Sequence, residues 1–136
     1  MSLIDLPLVS PPTIPLAGIF AAGLPIEAIE DQQELNLAEM FMGPELFALR
    51  VTGDSMIDAG ILDEDYVIIK KQPVANDGDI VVAMIDKAEA TLKRFKRKGE
   101  RQIALIPENP EMEPMIYPAE RISIHGVLVG QLRNYR

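Results

Sequence analysis

From Phe47 onward the chain is a succession of short apolar and β-branched runs: Phe47–Thr52, Asp65–Lys70, Asp79–Ile85, Ala90–Lys96, Gln102–Ile106 and Ile122–Gln131. Turn formers separate them, among them Asn76-Asp77-Gly78, Lys98-Gly99 and Pro107-Glu108-Asn109-Pro110. Short strands recurring at roughly ten-residue spacing between such turns point to an all-β architecture. The pattern predicts a mostly-β fold of rolled or sandwiched antiparallel sheets with one or two short helical turns. With 136 residues, one ordinary domain hides roughly two-thirds of its unfolded surface, enough for a real core.

The first half of the sequence has a different texture. Pro7, Pro11, Pro12, Pro15 and Pro25 fall among small and apolar residues, which blocks helices and removes ladder donors. Residues 1–25 are expected to form an extended arm with a short strand around Leu16–Phe20. Residues 26–45 are acidic, lack clear alternation, and read as a linker with one helical turn near Leu37–Met42. Residues 46–136 are expected to hold the β-rich domain. The first basic residue is Arg50, and the net charge of −8 disfavours nucleic acid as a direct partner, because phosphate contacts need a basic face. No positively charged leader or long apolar run opens the chain, so neither signal peptide nor membrane span is expected.

Composition shortens the chemical menu. The chain has no cysteine and one histidine, His125, which excludes disulfide frameworks, thiolate nucleophiles and the usual histidine or cysteine metal sites. No metal or cofactor is expected, and a reducing, cytoplasmic setting fits. The acids Asp58, Asp63, Glu64 and Asp65 lack the spacing of a calcium loop, and Asp63-Glu64-Asp65 reads as a turn. His125 lies in a late apolar strand and reads as a packed or edge residue.

One segment among the strands does not look like strand. Gly53-Asp54-Ser55-Met56 leads into a stretch closed by Gly60, as a short helix over Asp54–Leu62 would look. Ser55 would then stand where backbone N–H groups point outward, a ready oxyanion site; alternatively, Asp54 or Ser55 simply caps the helix. A serine nucleophile needs a base, and with histidine nearly excluded the remaining choice is a neutral lysine. Burial must depress its usual pKa by roughly three units, about 4 kcal/mol. In Thr91-Leu92-Lys93-Arg94-Phe95-Lys96, strand alternation puts Lys93 on one face with Thr91 and Phe95, and Arg94 and Lys96 on the other. Lys93 on an inward face would lose its proton readily. The competing reading is an exposed basic hairpin, since Arg94, Lys96, Arg97, Lys98 and Arg101 crowd the same region.

Gly53-Asp54-Ser55-Met56-Ile57-Asp58-Ala59-Gly60-Ile61, followed by Thr91-Leu92-Lys93-Arg94-Phe95, resembles the LexA/UmuD family of self-cleaving serine peptidases. The similarity runs through Gly78-Asp79-Ile80-Val81-Val82-Ala83, Pro107-Glu108-Asn109 and the final strand Gly126-Val127-Leu128-Val129-Gly130. The resemblance implies a β-clip peptidase domain with Ser55 as nucleophile and Lys93 as general base. The backbone around Asp54, Ser55 and Met56 would hold the oxyanion. It further implies cleavage of the chain's own Ala22–Gly23 bond, within Phe20-Ala21-Ala22-Gly23-Leu24-Pro25, while Ala17-Gly18 matches the family context less well. Implied partners are a second copy, through the C-terminal strand near Ile122–Leu132, and a RecA filament on single-stranded DNA that stimulates cleavage. Operator DNA would be bound only through an N-terminal helix-turn-helix domain, which this chain lacks. Asp63-Glu64-Asp65 departs from the family's common Asp-Gly-Asp. The LexA branch fits better than a UmuD-like polymerase subunit; a non-catalytic phage-repressor-like dimerisation module is the remaining alternative. Signal peptidases share the serine-lysine chemistry, but usually show Ser-Met-x-Pro and a membrane anchor.

Overall fold

The computed structural model describes residues 13–136, and the chain divides into two compact units between Met42 and Gly43. The first twelve residues of the expected arm lie outside the described residues. In the first unit, β1 (Thr13–Ile19) pairs antiparallel with β2 (Glu27–Asn36), from Thr13 against Asn36 to Ile19 against Glu27. The register shifts between Leu16 and Gly18, and a side chain at Gly18 would collide with the Glu27 carbonyl. Ala17-Gly18 is thus built into the ladder. A single helical turn, α1 (Leu37–Met40), follows, with the Asn36 side chain accepting from the Glu39 N–H at 3.0 Å.

Within residues 26–45, read from sequence as an acidic linker with one helical turn, Glu27–Asn36 form strand β2. Its sequence, Glu-Ala-Ile-Glu-Asp-Gln-Gln-Glu-Leu-Asn, lacks the alternation that marks a half-buried strand. Backbone pairing forms the ladder regardless, and periodicity does not register it.

The second unit is one seven-stranded sheet. Its strands are β3 (Leu46–Arg50), β4 (Tyr66–Lys71), β5 (Ile80–Ile85), β6 (Glu89–Lys98), β7 (Gln102–Ile106), β8 (Met115–Pro118) and β9 (Ile122–Leu132). They lie in the order β3-β4-β9-β5-β6-β7-β8, with each neighbouring pair antiparallel. Six of these match expected runs. Strand β8 has no counterpart among the expected runs; Pro114 precedes it and Pro118 ends it, and at a sheet edge proline costs no ladder bond.

Strand β5 explains how one sheet makes two cores. Val81, Ala83 and Ile85 point into a cluster with Phe95, Ile103 and Leu105. Val82 points the opposite way, to Met56, Ile61, Val67 and Ile69. Period-two alternation thus sends successive residues of β5 into cores on opposite faces of the sheet. Strand β9, between β4 and β5, is locked by Gly126, where a Cβ would lie 2.5 Å from the Lys70 carbonyl. His125 precedes it, exposed, at a shift in the β5–β9 register.

Candidate active site

Ser55 stands on the connection between β3 and β4. The base of this connection is closed by backbone bonds, Val51 N–H to the Asp65 carbonyl and Glu64 N–H to the Val51 carbonyl, both 2.8 Å. Gly53, at φ 96°, donates to Asp63 Oδ1 at 2.7 Å. Met56 and Ile61, 2% and 1% exposed, anchor the connection in the second core cluster. Between them only Ile57–Ala59 is helical, a single 3₁₀ turn ended by Gly60 at φ 79°. The expected helix over Asp54–Leu62 is therefore this one turn, bounded by the non-helical backbone of Met56 (φ −123°, ψ 24°) and the left-handed Gly60. Its N-cap position is Met56, with no side-chain cap bond, so neither Asp54 nor Ser55 serves as a cap.

Lys93 reaches the same place from β6. Its Nζ lies 3.3 Å from Ser55 Oγ and donates also to Thr91 Oγ1 at 2.6 Å and the Leu92 carbonyl at 3.2 Å. Burial lowers the lysine pKa from its usual value, opposed by the charge of Glu89. Ser55 and Lys93 line a cleft of about 280 Å³ whose apolar wall includes Leu49, Val51, Met56, Val67, Val82 and Leu92. The basic-hairpin reading holds for Lys96, Arg97, Lys98 and Arg101, which are exposed, and not for Lys93.

The loop Pro107–Pro110, read from sequence as a turn, packs against the serine. Asn109, 7% exposed, donates from Nδ2 to the Asp54 carbonyl at 3.0 Å and accepts at Oδ1 from the Glu111 N–H at 3.0 Å. The Glu108 N–H donates to the Ser55 carbonyl, and the Asp58 N–H to the Glu108 carbonyl, both at 2.8 Å. The Glu108 carboxylate pairs with Arg94, one residue beyond Lys93. In the sequence, Asn109 stood out only as a polar residue between prolines and as part of the Pro107-Glu108-Asn109 match, neither of which gave it a role.

Asp65, also read as part of a turn, is buried. Two oxygens of its carboxylate take the Arg133 guanidinium, and one accepts the Leu62 N–H at 2.8 Å. The Arg133 hydrogen bond, partly offset by desolvation, lowers its pKa to about 2. Arg133 and Gln131 also donate to the Gly60 carbonyl, each at 2.9 Å. The end of β9 thereby holds the turn that follows the serine.

Ala22 and Gly23 belong to the other unit, in an exposed turn between β1 and β2. The turn is closed by the Leu24 N–H on the Ala21 carbonyl at 3.1 Å, and Gly23 has φ 81°. Among the described residues, no group of His, Asp or Glu is arranged to hold a metal, and no helix is long and apolar enough to cross a membrane.

Residues 15–129 match the family described as Peptidase S24-like. The chain belongs to that family. It is 52% identical over 123 residues to the LexA repressor of Zymomonas mobilis, covering 90% of this chain and 56% of that protein. It is 51% identical over 125 residues to the LexA repressor of Acidiphilium cryptum (90% and 54%) and 48% identical over 125 residues to that of Bartonella quintana (90% and 52%). The chain thus spans about half the length of these relatives, and it is a LexA-type domain of the S24 peptidases.

Proposed function

We propose that this domain cleaves its own Ala22–Gly23 bond with Ser55 as nucleophile and Lys93 as general base. The observation that supports it most is the 3.3 Å approach of Lys93 Nζ to Ser55 Oγ, from a lysine that burial makes easier to deprotonate. An ammonium has three protons to donate, and three acceptors surround this one. After one proton is lost, the two remaining N–H bonds can stay on Thr91 and the Leu92 carbonyl, which leaves the lone pair facing Ser55. The amine then takes the hydroxyl proton as Oγ attacks the Ala22 carbonyl carbon. The tetrahedral oxyanion is stabilised by backbone N–H groups at Ser55 and Met56. As the intermediate collapses, the C–N bond breaks and Lys93 gives its proton to the Gly23 nitrogen. Water, deprotonated by the same amine, then releases the Ala22 carboxylate and restores the serine.

The relatives are named repressors, which favours the LexA branch over a polymerase subunit. In a whole protein of that type, an N-terminal helix-turn-helix domain would bind operator DNA and this domain would supply the dimer contact, in the cytoplasm. A RecA filament on single-stranded DNA would favour the cleavable pose, and cutting would relieve repression of DNA-damage genes.

Intact-mass spectrometry of the purified chain at neutral pH and at about pH 10, beside Ser55→Ala, tests the chemistry without any partner. Fragments 1–22 and 23–136 are expected, faster at the higher pH because the neutral base is more populated, and absent from the variant. An unbroken chain at both pH values would remove the peptidase reading.

A further inference from the structure

The loop Pro107–Pro110 does more than reverse the chain, an inference that rests on the serine-lysine reading above. A trans peptide is planar, so its carbonyl and its N–H point in opposite directions. The Asp54 carbonyl and the Ser55 N–H share one peptide, and the Ser55 carbonyl and the Met56 N–H share the next. Loop 107–110 takes both carbonyls: Asn109 Nδ2 donates to that of Asp54 at 3.0 Å, and the Glu108 N–H to that of Ser55 at 2.8 Å. Both carbonyls therefore face this loop, and both N–H groups face away from it. The Ile57 N–H also approaches the Asp54 carbonyl, at 3.4 Å, but from within the same turn, so it ties that peptide to nothing outside. Among the described residues, neither the Ser55 nor the Met56 N–H is taken by a protein acceptor.

We infer that Asn109 is a positioning residue: by holding the Asp54 carbonyl, it aims the Ser55 N–H at the oxyanion of the tetrahedral intermediate. The orientation of its amide is fixed by its two bonds. Oδ1 accepts from the Glu111 N–H while Nδ2 donates to a carbonyl; the flipped amide would oppose donor to donor and acceptor to acceptor. Glu108 is held in turn by its ion pair with Arg94 on the lysine-bearing strand. The arms that locate the oxyanion site and the base thus meet in one loop.

Asn109→Asp is the discriminating variant, because it keeps an oxygen for the Glu111 N–H and replaces only the donor that holds Asp54. Asn109→Ala is the second. Self-cleavage of the full chain between pH 7 and 10 and labelling of Ser55 by a fluorophosphonate probe are measured together, at temperatures where thermal unfolding shows each variant folded. Losing an oxyanion donor outright costs about 10²–10³-fold in rate, and mis-aiming one is expected to cost about ten- to a hundredfold. Both variants should fall by about that factor on the high-pH plateau, for cleavage and labelling alike, with the midpoint of the pH profile unmoved in Asn109→Ala, which adds no charge near Lys93; the carboxylate of Asn109→Asp can only raise the midpoint. A merely structural role would lower the unfolding temperature and leave the rates of folded protein unchanged. Wild-type plateau rates in the folded variants, or in Asn109→Ala a displaced midpoint in place of a lowered plateau, would overturn the inference. Wild-type protein that neither cleaves nor labels would instead overturn the serine-lysine reading itself.

Discussion

Two turns of this molecule, one bearing Ser55 and the other bearing Ala22 and Gly23, are both irregular backbone, yet they are held in opposite ways. The serine connection is fastened from four directions. Met56 and Ile61 sink into the core, Asn109 and Glu108 hold the Asp54 and Ser55 carbonyls, Asp65 binds the Leu62 N–H, and Arg133 reaches both Asp65 and the Gly60 carbonyl. The Ala22–Gly23 turn closes a two-stranded hairpin with one backbone bond, flanked by Phe20 and Leu24 at 73% and 65% exposure. A lone hairpin is marginal by itself, and exposed backbone with few buried contacts opens at low cost. The self-cleavage proposed above would need order at Ser55 and freedom at the Ala22–Gly23 bond.

The comparison breaks most completely at the nucleophile. Ser55→Ala should abolish cleavage, and Lys93→Ala should lower it by about 10²–10⁴-fold, the usual worth of a positioned base. Both should leave the thermal unfolding transition in place. Because burial lowers the Lys93 pKa, the neutral base gains population below the ordinary lysine range. The rate should climb about tenfold per pH unit and level off at that lowered pKa. A rate flat from pH 7 to 10, or Lys93→Ala cleaving normally, would remove the lysine from the mechanism.

The other side of the comparison is broken at Gly23. Its φ of 81° suits glycine, whereas a β-branched residue there costs about 1–2 kcal/mol and adds bulk next to the Ala22 carbonyl, the proposed point of attack. Gly23→Val should therefore lose cleavage at least tenfold while Ser55 still reacts with a fluorophosphonate at the wild-type rate. Equal loss in both assays would mean that the two turns are not independent.

Asp65 gives a smaller effect, on stability. Its carboxyl is held at about 2, below the usual 3.8, so the folded state releases this proton more readily than the unfolded chain does. The stability it contributes is complete above about pH 4 and fades as pH falls toward 2. Asp65→Asn should cost about 2 kcal/mol at pH 7 by urea unfolding. The gap to wild type should close between pH 4 and pH 2. A gap independent of pH would show that the Arg133 pair does not hold this loop in solution.

What the sequence made legible followed from periodicity and elimination. Alternation located six strands of the second unit and put Lys93 and Thr91 on one face, and the scarcity of histidine and cysteine directed attention to Ser55 and a lysine. What stayed hidden has no periodic signature. Strand β2 is formed by a backbone ladder without hydropathic alternation, and the helix expected over Asp54–Leu62 is one turn, bounded by the non-helical Met56 and the left-handed Gly60. Asn109 and Asp65 looked like turn residues until the fold brought Asp54 and Arg133 to them from 55 and 68 residues away. Long-range polar pairing is invisible to any local window.

The smallest effect tests whether the serine connection is as fixed as the comparison requires. Glu64 adopts φ 72°, a conformation that suits the glycine of Asp-Gly-Asp, and its exposed carboxylate pairs with Arg50 at 3.2 Å. Holding a non-glycine residue there costs about 1–2 kcal/mol. Against that, glycine loses about 0.4–1 kcal/mol through the freedom of the unfolded chain, and the exposed ion pair contributes at most about 1 kcal/mol. Glu64→Gly should therefore unfold within about 0.5 kcal/mol of wild type, whereas Glu64→Ala, which keeps the strain and loses the pair, should be less stable than the glycine variant by about 0.5–1 kcal/mol. Alanine ordinarily outranks glycine in a folded chain, so the inverted order can come only from a backbone held at positive φ. The ordinary order would mean that this turn relaxes in solution and that the nucleophile's connection is looser than the bonds around it suggest.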